Sequence, residues 1–105
     1  MKVIYNNIIP FKGFAAINIF GVIFARRDIY ISPKIINHEM IHTKQMKELG
    51  YVLFYVLYLF EWIVKLFIYG KNSYRNIPFE CEAYKNELDL YYIKNRKHYS
   101  FLKFM

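Results

Sequence analysis

The chain is poor in the residues that staple, break or punctuate a fold. One cysteine, Cys81, stands among 105 residues. That excludes an intramolecular disulfide and fits a reducing, cytoplasmic setting. Four glycines and three prolines leave no tract for a flexible linker or low-complexity arm, so one domain over 1–105 is expected. Acids are scarce too, eight against fifteen Lys and Arg, for a net charge of +7. This balance favours anionic partners such as acidic lipid or acidic protein. Nucleic acid is not expected among them, because the cations are scattered and no recognition helix, finger or stacking motif organises them. Near the start, Asn6, Asn7 and Pro10 break the apolar run and no small-residue cleavage site follows, so no signal peptide is expected.

What is present in excess is apolar and aromatic: 56% hydrophobic residues, with eleven Tyr and ten Phe. So small a globule cannot hide that much, and a membrane surface or partner chain is expected to cover some of it. The longest apolar run is 51–69, interrupted by Glu61 and Lys65. Its Leu, Ile, Phe and Val residues contribute roughly −5 kcal/mol to bilayer insertion, while two central charges cost about +5 to +7 kcal/mol. Insertion is marginal on energy. The expectation is a buried or surface-lying helix, with Glu61 and Lys65 paired at i, i+4. It rests on a membrane surface or in a homodimer interface, making the protein peripheral at the membrane.

Residues 34–49 contain no Gly or Pro and hold the chain's most specific signal, His38-Glu39-Met40-Ile41-His42. Ser32-Pro33 supplies an N-cap hydroxyl and a proline at the first helical position, so this H-E-x-x-H stretch lies on a helix. Two histidines four residues apart leave the same helical face, the geometry that holds two corners of a tetrahedral Zn2+. Glu39, about 100° round the helix, reaches a metal-bound water without ligating the metal. Its expected role is general base.

Around that helix an α+β domain is expected. Residues 1–31 read as a small antiparallel N-terminal sheet of two to four strands. Phe14–Phe20 and Val22–Ala25 flank Gly21, Arg26-Arg27-Asp28 forms a solvated turn, and Ile29-Tyr30-Ile31 is a last strand. Three helices follow: the motif helix ending at Gly50, the long apolar helix, and, after a loop over 70–78, a glutamate helix from Pro78 through Tyr91. The tail from Lys94, basic and interleaved with aromatics, reads as a solvated end folding back on the core or as an anionic-lipid contact.

A catalytic zinc takes three protein ligands and keeps one open position. The downstream candidates are Glu80, Cys81, Glu82, Glu87, Asp89 and His98. Glu80 is favoured, because Ala83 at i, i+3 lets its helix pack closely on the motif helix. Glu82 shares a polar stripe with Asn86 and Asp89 that is expected to face water, and Cys81 reads as a small buried residue.

His38-Glu39-Met40-Ile41-His42 followed by Glu80-Cys81-Glu82-Ala83-Tyr84 resembles the gluzincin pattern, in which H-E-x-x-H is completed by a glutamate in an E-x-x-A context. The size and the short sheet before the motif helix are similar to the minigluzincins, minimal metallopeptidase domains. The resemblance covers about residues 15–92. It implies a zincin-like fold, His38, His42 and Glu80 as zinc ligands, Glu39 as base and proton shuttle, and a peptide or protein substrate. Many relatives carry Asp where this chain has Tyr84, so an outer carboxylate partner for a ligand has to come from elsewhere. Tyr84 and His98 are candidates to stabilise the oxyanion; Asn37 and Gln45 flank the site as hydrogen-bonders. The substrate is expected to lie along the edge strand within Phe14–Ala25. The resulting expectation is a zinc metallopeptidase. The alternative is a non-catalytic membrane-associated or adaptor protein with a structural or absent metal.

Overall fold

The computed structural model describes residues 3–8, 16–28 and 30–105. Its strands are β1 (Val3–Asn6), β2 (Ala16–Ile19) and β3 (Val22–Arg26). Its helices are α1 (Pro33–Leu49), α2 (Val52–Tyr69), α3 (Pro78–Asn86) and a short α4 (Tyr92–Asn95). The class is α+β, a small sheet followed by helices.

The sheet is mixed, not antiparallel. Its order is β1-β3-β2; β2 runs antiparallel to β3 and β1 parallel to it. Period-two alternation identifies strands but says nothing of direction, and β3, with Ile23 and Ala25 fully buried, takes the central position. Gly21 makes the tight connection expected of it. Ile19 faces Val22 across a two-residue loop, and Phe20 and Gly21 have φ of 51° and 87°, the left-handed pair that such hairpin loops use. Phe20 is held there by α2: its N–H donates to Tyr55 Oη at 3.0 Å and its ring centroid lies 5.2 Å from that of Tyr55.

Three local expectations need correction or fall outside the description. Arg26 is not in a solvated turn but is buried at the end of β3, 3.0 Å from Asp28. Tyr30 and Ile31 form no strand. Phe14, Ala15 and Ile29 lie outside the described residues.

The motif helix forms where its caps place it. Ser32 Oγ accepts from the Ile35 N–H at 3.3 Å, and Gly50, at φ 68°, ends the helix with its N–H on Met46 O, as left-handed glycine caps do. In α2, Lys65 and Glu61 stand 3.7 Å apart, the pairing their spacing implies. Phe54 joins Met46, Ile77, Phe79 and Phe101 in the core. Two 3-10 turns, Gly70–Asn72 and Tyr74–Asn76, lead to Pro78.

The glutamate helix is shorter than its sequence suggests, ending at Asn86. Asn37 Nδ2 donates to the carbonyls of Asn86, Glu87 and Asp89. Asn86 and its C-cap Glu87 carry acceptors that a helix end leaves unsatisfied, and Asp89 lies just beyond, so α1 itself caps α3. Beyond it the tail folds back, placing Phe101 against Phe79 at 4.9 Å between centroids.

Candidate metal centre

One turn of α1 and one residue of α3 bring three ligating atoms together. His38 Nε2 and His42 Nε2 are 3.2 Å apart, and Glu80 Oε1 lies 3.1 Å from each. The triangle is nearly equilateral. Ligand atoms on a tetrahedral ion with bonds of about 2.0–2.1 Å stand roughly 3.3–3.4 Å from one another. The three atoms therefore match one face of such a tetrahedron, and His38, His42 and Glu80 form a buried group able to hold a metal.

The outer contacts reinforce this fit. His38 Nδ1 lies 2.7 Å from Glu87 Oε2, and a carboxylate only accepts, so the Nδ1 carries the proton. Gln45 donates its amide N–H groups to Phe79 O and Glu82 Oε1. Its own Oε1, 2.8 Å from His42 Nδ1, must then accept from that ring. When the rings are neutral, both Nε2 atoms therefore turn lone pairs inward, toward each other and toward a carboxylate oxygen. Three such acceptors need a positive charge among them, which a proton on a ring Nε2 or a metal ion can supply.

The electrostatics follow from that convergence. Burial alone would lower the His42 pKa, but the charge and hydrogen bond of Glu80, with Glu39 adding to them, raise it to about 9. Burial pushes Glu80 up, yet His42 and the hydrogen bonds from His38, His42 and Tyr58 hold it well below the usual carboxylate range. Glu39 goes the other way. Burial raises its pKa, and the neighbouring histidines offset this only in part.

A cleft of about 410 Å³ opens beside these groups. Ala16, Ile17 and Asn18 of β2 form one wall, Phe54, Tyr55 and Tyr58 of α2 another, and Glu39, His42, Met46, Tyr74 and Glu80 complete it. Asn18 ties the strand to the motif helix, its Nδ2 donating to Glu39 O and Thr43 Oγ1 at 2.9 Å each. Tyr55 Oη donates to Asn18 O at 3.2 Å. That carbonyl faces away from β3, and by the period-two alternation of an antiparallel pair the backbone of Ala16 faces the cleft as well.

Several sequence-based assignments land elsewhere. Tyr84 does not line the cleft; its ring packs edge-on against His38 with centroids 4.6 Å apart, under the guanidinium of Arg75. His98 is 89% exposed and contacts Glu48 at 3.1 Å. Glu82, expected to face water, is fully buried, where Arg96, Tyr92 and Gln45 donate to it. Cys81 is half-buried, and its thiol donates to Arg75 O at 3.2 Å.

Two residues of the centre were not assigned their roles from the sequence. Tyr58 Oη donates to Glu80 Oε2 at 2.6 Å, fixing the ligand's second oxygen. Glu87 supplies the carboxylate behind His38 that Tyr84 cannot. A signal existed for both. A tyrosine inside an apolar run needs a partner for its hydroxyl once buried, and Glu87 lies two turns after Glu80 on the same helical face. No protein-family model matches the chain, and no curated protein or solved structure matches it.

Proposed function

We propose that the chain is a zinc-dependent metallopeptidase of minimal, zincin-like design, with His38, His42 and Glu80 as the metal ligands. The observation that carries this reading is the convergence of His38 Nε2, His42 Nε2 and Glu80 Oε1 at 3.1–3.2 Å from one another, with Glu39 lining the open cleft beside them. Zinc bound there would act as a Lewis acid on a peptide carbonyl and lower the pKa of a water. Everything else falls to the chain itself.

Glu39 is the general base. Its burial-raised pKa brings its proton affinity closer to neutrality, as a group that must both take and return a proton requires. It takes the proton of the attacking water and delivers it to the leaving amine. Tyr74 replaces Tyr84 as the donor to the developing oxyanion. It lines the cleft, and burial together with the charge and hydrogen bond of Glu80 raises its pKa above the usual tyrosine value, so the hydroxyl stays protonated and can turn from Glu80 to the oxyanion. Tyr58 is a positioning residue, since its hydroxyl is committed to Glu80. The outward backbone of Ala16 pairs with an extended peptide by strand addition, while Tyr55 on Asn18 O marks where that pairing ends.

The test is metal content and proteolysis on the same preparations. The wild type is expected to carry one zinc per chain and to cleave an unstructured peptide pool. Glu39→Gln should retain the zinc and lose at least about a hundredfold in kcat. Full activity in that variant would end the mechanism. Metal retention without hydrolysis in the wild type would favour a structural metal in a non-catalytic, membrane-associated protein.

A further inference from the structure

The outward arc of α2 carries no polar side chain. Val52, Val56, Leu59, Phe60, Ile63 and Phe67 are each 47% exposed or more, and at 100° per residue they share an arc of about 100°. The helix's two charges are turned the other way: the side chains of Glu61 and Lys65 are 14% and 20% exposed and pair with each other. A water-facing helix has the reverse arrangement. Nor is this the core helix of a soluble protein. The segment Val52–Asn72 has a mean hydropathy of 1.8, and 6% of it is buried.

Three observations say what covers the arc. The first is its uniformity. Even apolar protein interfaces include roughly a third polar area and about one hydrogen bond per 100–200 Å², whereas this arc offers no side-chain donor or acceptor and suits hydrocarbon. The second is charge. Lys71 and Arg75 stand exposed just beyond the helix end on a chain of net charge +7, complementary to anionic headgroups. Tyr69, 47% exposed at that same end, is the amphipathic ring favoured at headgroup depth. The third is chain path. α1 carries His42 and α3 carries Glu80, and their ligating atoms meet at 3.1 Å; both ends of α2 thus return to one body, which a helix crossing the bilayer would pull apart.

We infer that α2 is a monotopic anchor that lays its outward arc into the acyl boundary of an anionic bilayer, its axis in the membrane plane. The inference goes beyond the proposed peptidase activity and does not depend on the metal.

The full chain is tested by flotation, with zinc and with chelator, on vesicles of phosphatidylcholine alone and of phosphatidylcholine mixed equally with phosphatidylglycerol. Trp62, the single tryptophan, sits on this helix and reports binding by a blue-shifted emission. Binding to the mixed vesicles is expected, about tenfold weaker on phosphatidylcholine alone. The triple variant Leu59→Gln/Phe60→Gln/Ile63→Gln should lose about a hundredfold in partitioning, with circular dichroism and thermal midpoint at wild-type values to show that it is folded. Wild-type protein that floats with neither vesicle, or a triple variant that floats as well as wild type, would overturn the anchor. So would a wild-type dimer in sedimentation that the triple variant dissociates while neither protein binds vesicles, which would give the face to a second copy. Equal binding to the two compositions would overturn the headgroup preference.

Discussion

Helices α1 and α2 have 17 and 18 residues and bury opposite chemistries. The buried positions of α1 include Asn37, His38, His42, Thr43 and Gln45, each hydrogen-bonded: Asn37 to the end of α3, His38 to Glu87, His42 to Gln45, Thr43 to Asn18, Gln45 to Phe79. The buried residue of α2 is Phe54, and aliphatic and aromatic side chains cover its outside. In α1, polar groups go inside because partners wait there, and an unpaired one would cost about 1–3 kcal/mol. In α2, apolar groups stay outside because the described residues form no further layer to cover them. Hydrophobicity alone therefore sorts neither helix. Partner supply sorts the first, and the amount of available protein sorts the second.

The comparison breaks most visibly where a buried charge loses its partner. Glu82 lies on the far side of Gln45 from the candidate metal centre and is paired with Arg96, whose side chain is 3% exposed. Glu82→Ala leaves that guanidinium buried and half-paired, and should cost about 3–5 kcal/mol in urea unfolding. A loss below 1 kcal/mol would mean that the buried polar layer of α1 does not depend on its partners.

Next in size is the proposed metal site. Glu80→Ala should weaken zinc binding beyond about a hundredfold, the upper range for outer-shell changes, as read by competition with a chromophoric chelator. Unchanged affinity would remove Glu80 from the ligand set.

Proton linkage sharpens the same site. Because the His42 pKa is raised to about 9, the charged ring is the favoured form below that pH and must release a proton before Nε2 coordinates. Zinc affinity should therefore rise with pH, about tenfold per unit, and level off near 9. Calorimetry in buffers of different ionisation enthalpy should find about one proton released at neutral pH; none released would contradict the raised pKa of His42.

Glu87→Gln keeps the shape but weakens the carboxylate behind His38, and should cost about 10–100-fold in zinc affinity. The smallest effect belongs to α2. Leu59→Gln in water, without lipid, should shift stability by no more than about 0.5 kcal/mol, since no described residue packs over that arc. A loss of several kcal/mol would show that the arc is already covered in solution, as by a second copy.

Much of this was legible locally. Ser32-Pro33 and Gly50 bound α1 as capping chemistry requires, Gly21 marks the hairpin, and the four-residue spacing of His38 and His42 is a helical turn in any fold. The choice of Glu80 over its neighbours was legible from Ala83, which permits close helix packing. Glu82 was misread because its polar stripe looks solvated until Arg96, fourteen residues on, comes back to meet it. The length of α3 was misread because its cap is a side chain 49 residues earlier in the chain. The strand directions and the displacement of Tyr84 from the cleft depend likewise on contacts between distant segments.

The sequence by itself determined where the motif helix begins and ends, and that two imidazoles and a glutamate share one turn of it. These follow from backbone dihedrals and side-chain spacing within a few residues. The tertiary structure alone decided that Glu80 meets both rings at 3.1 Å, that Glu87 and Gln45 hold the two Nδ1 atoms, and that α2 turns its charges to the protein. Those outcomes depend on atoms meeting across some 40 residues of chain, as His42 and Glu80 do across 38, and only packing brings them within reach.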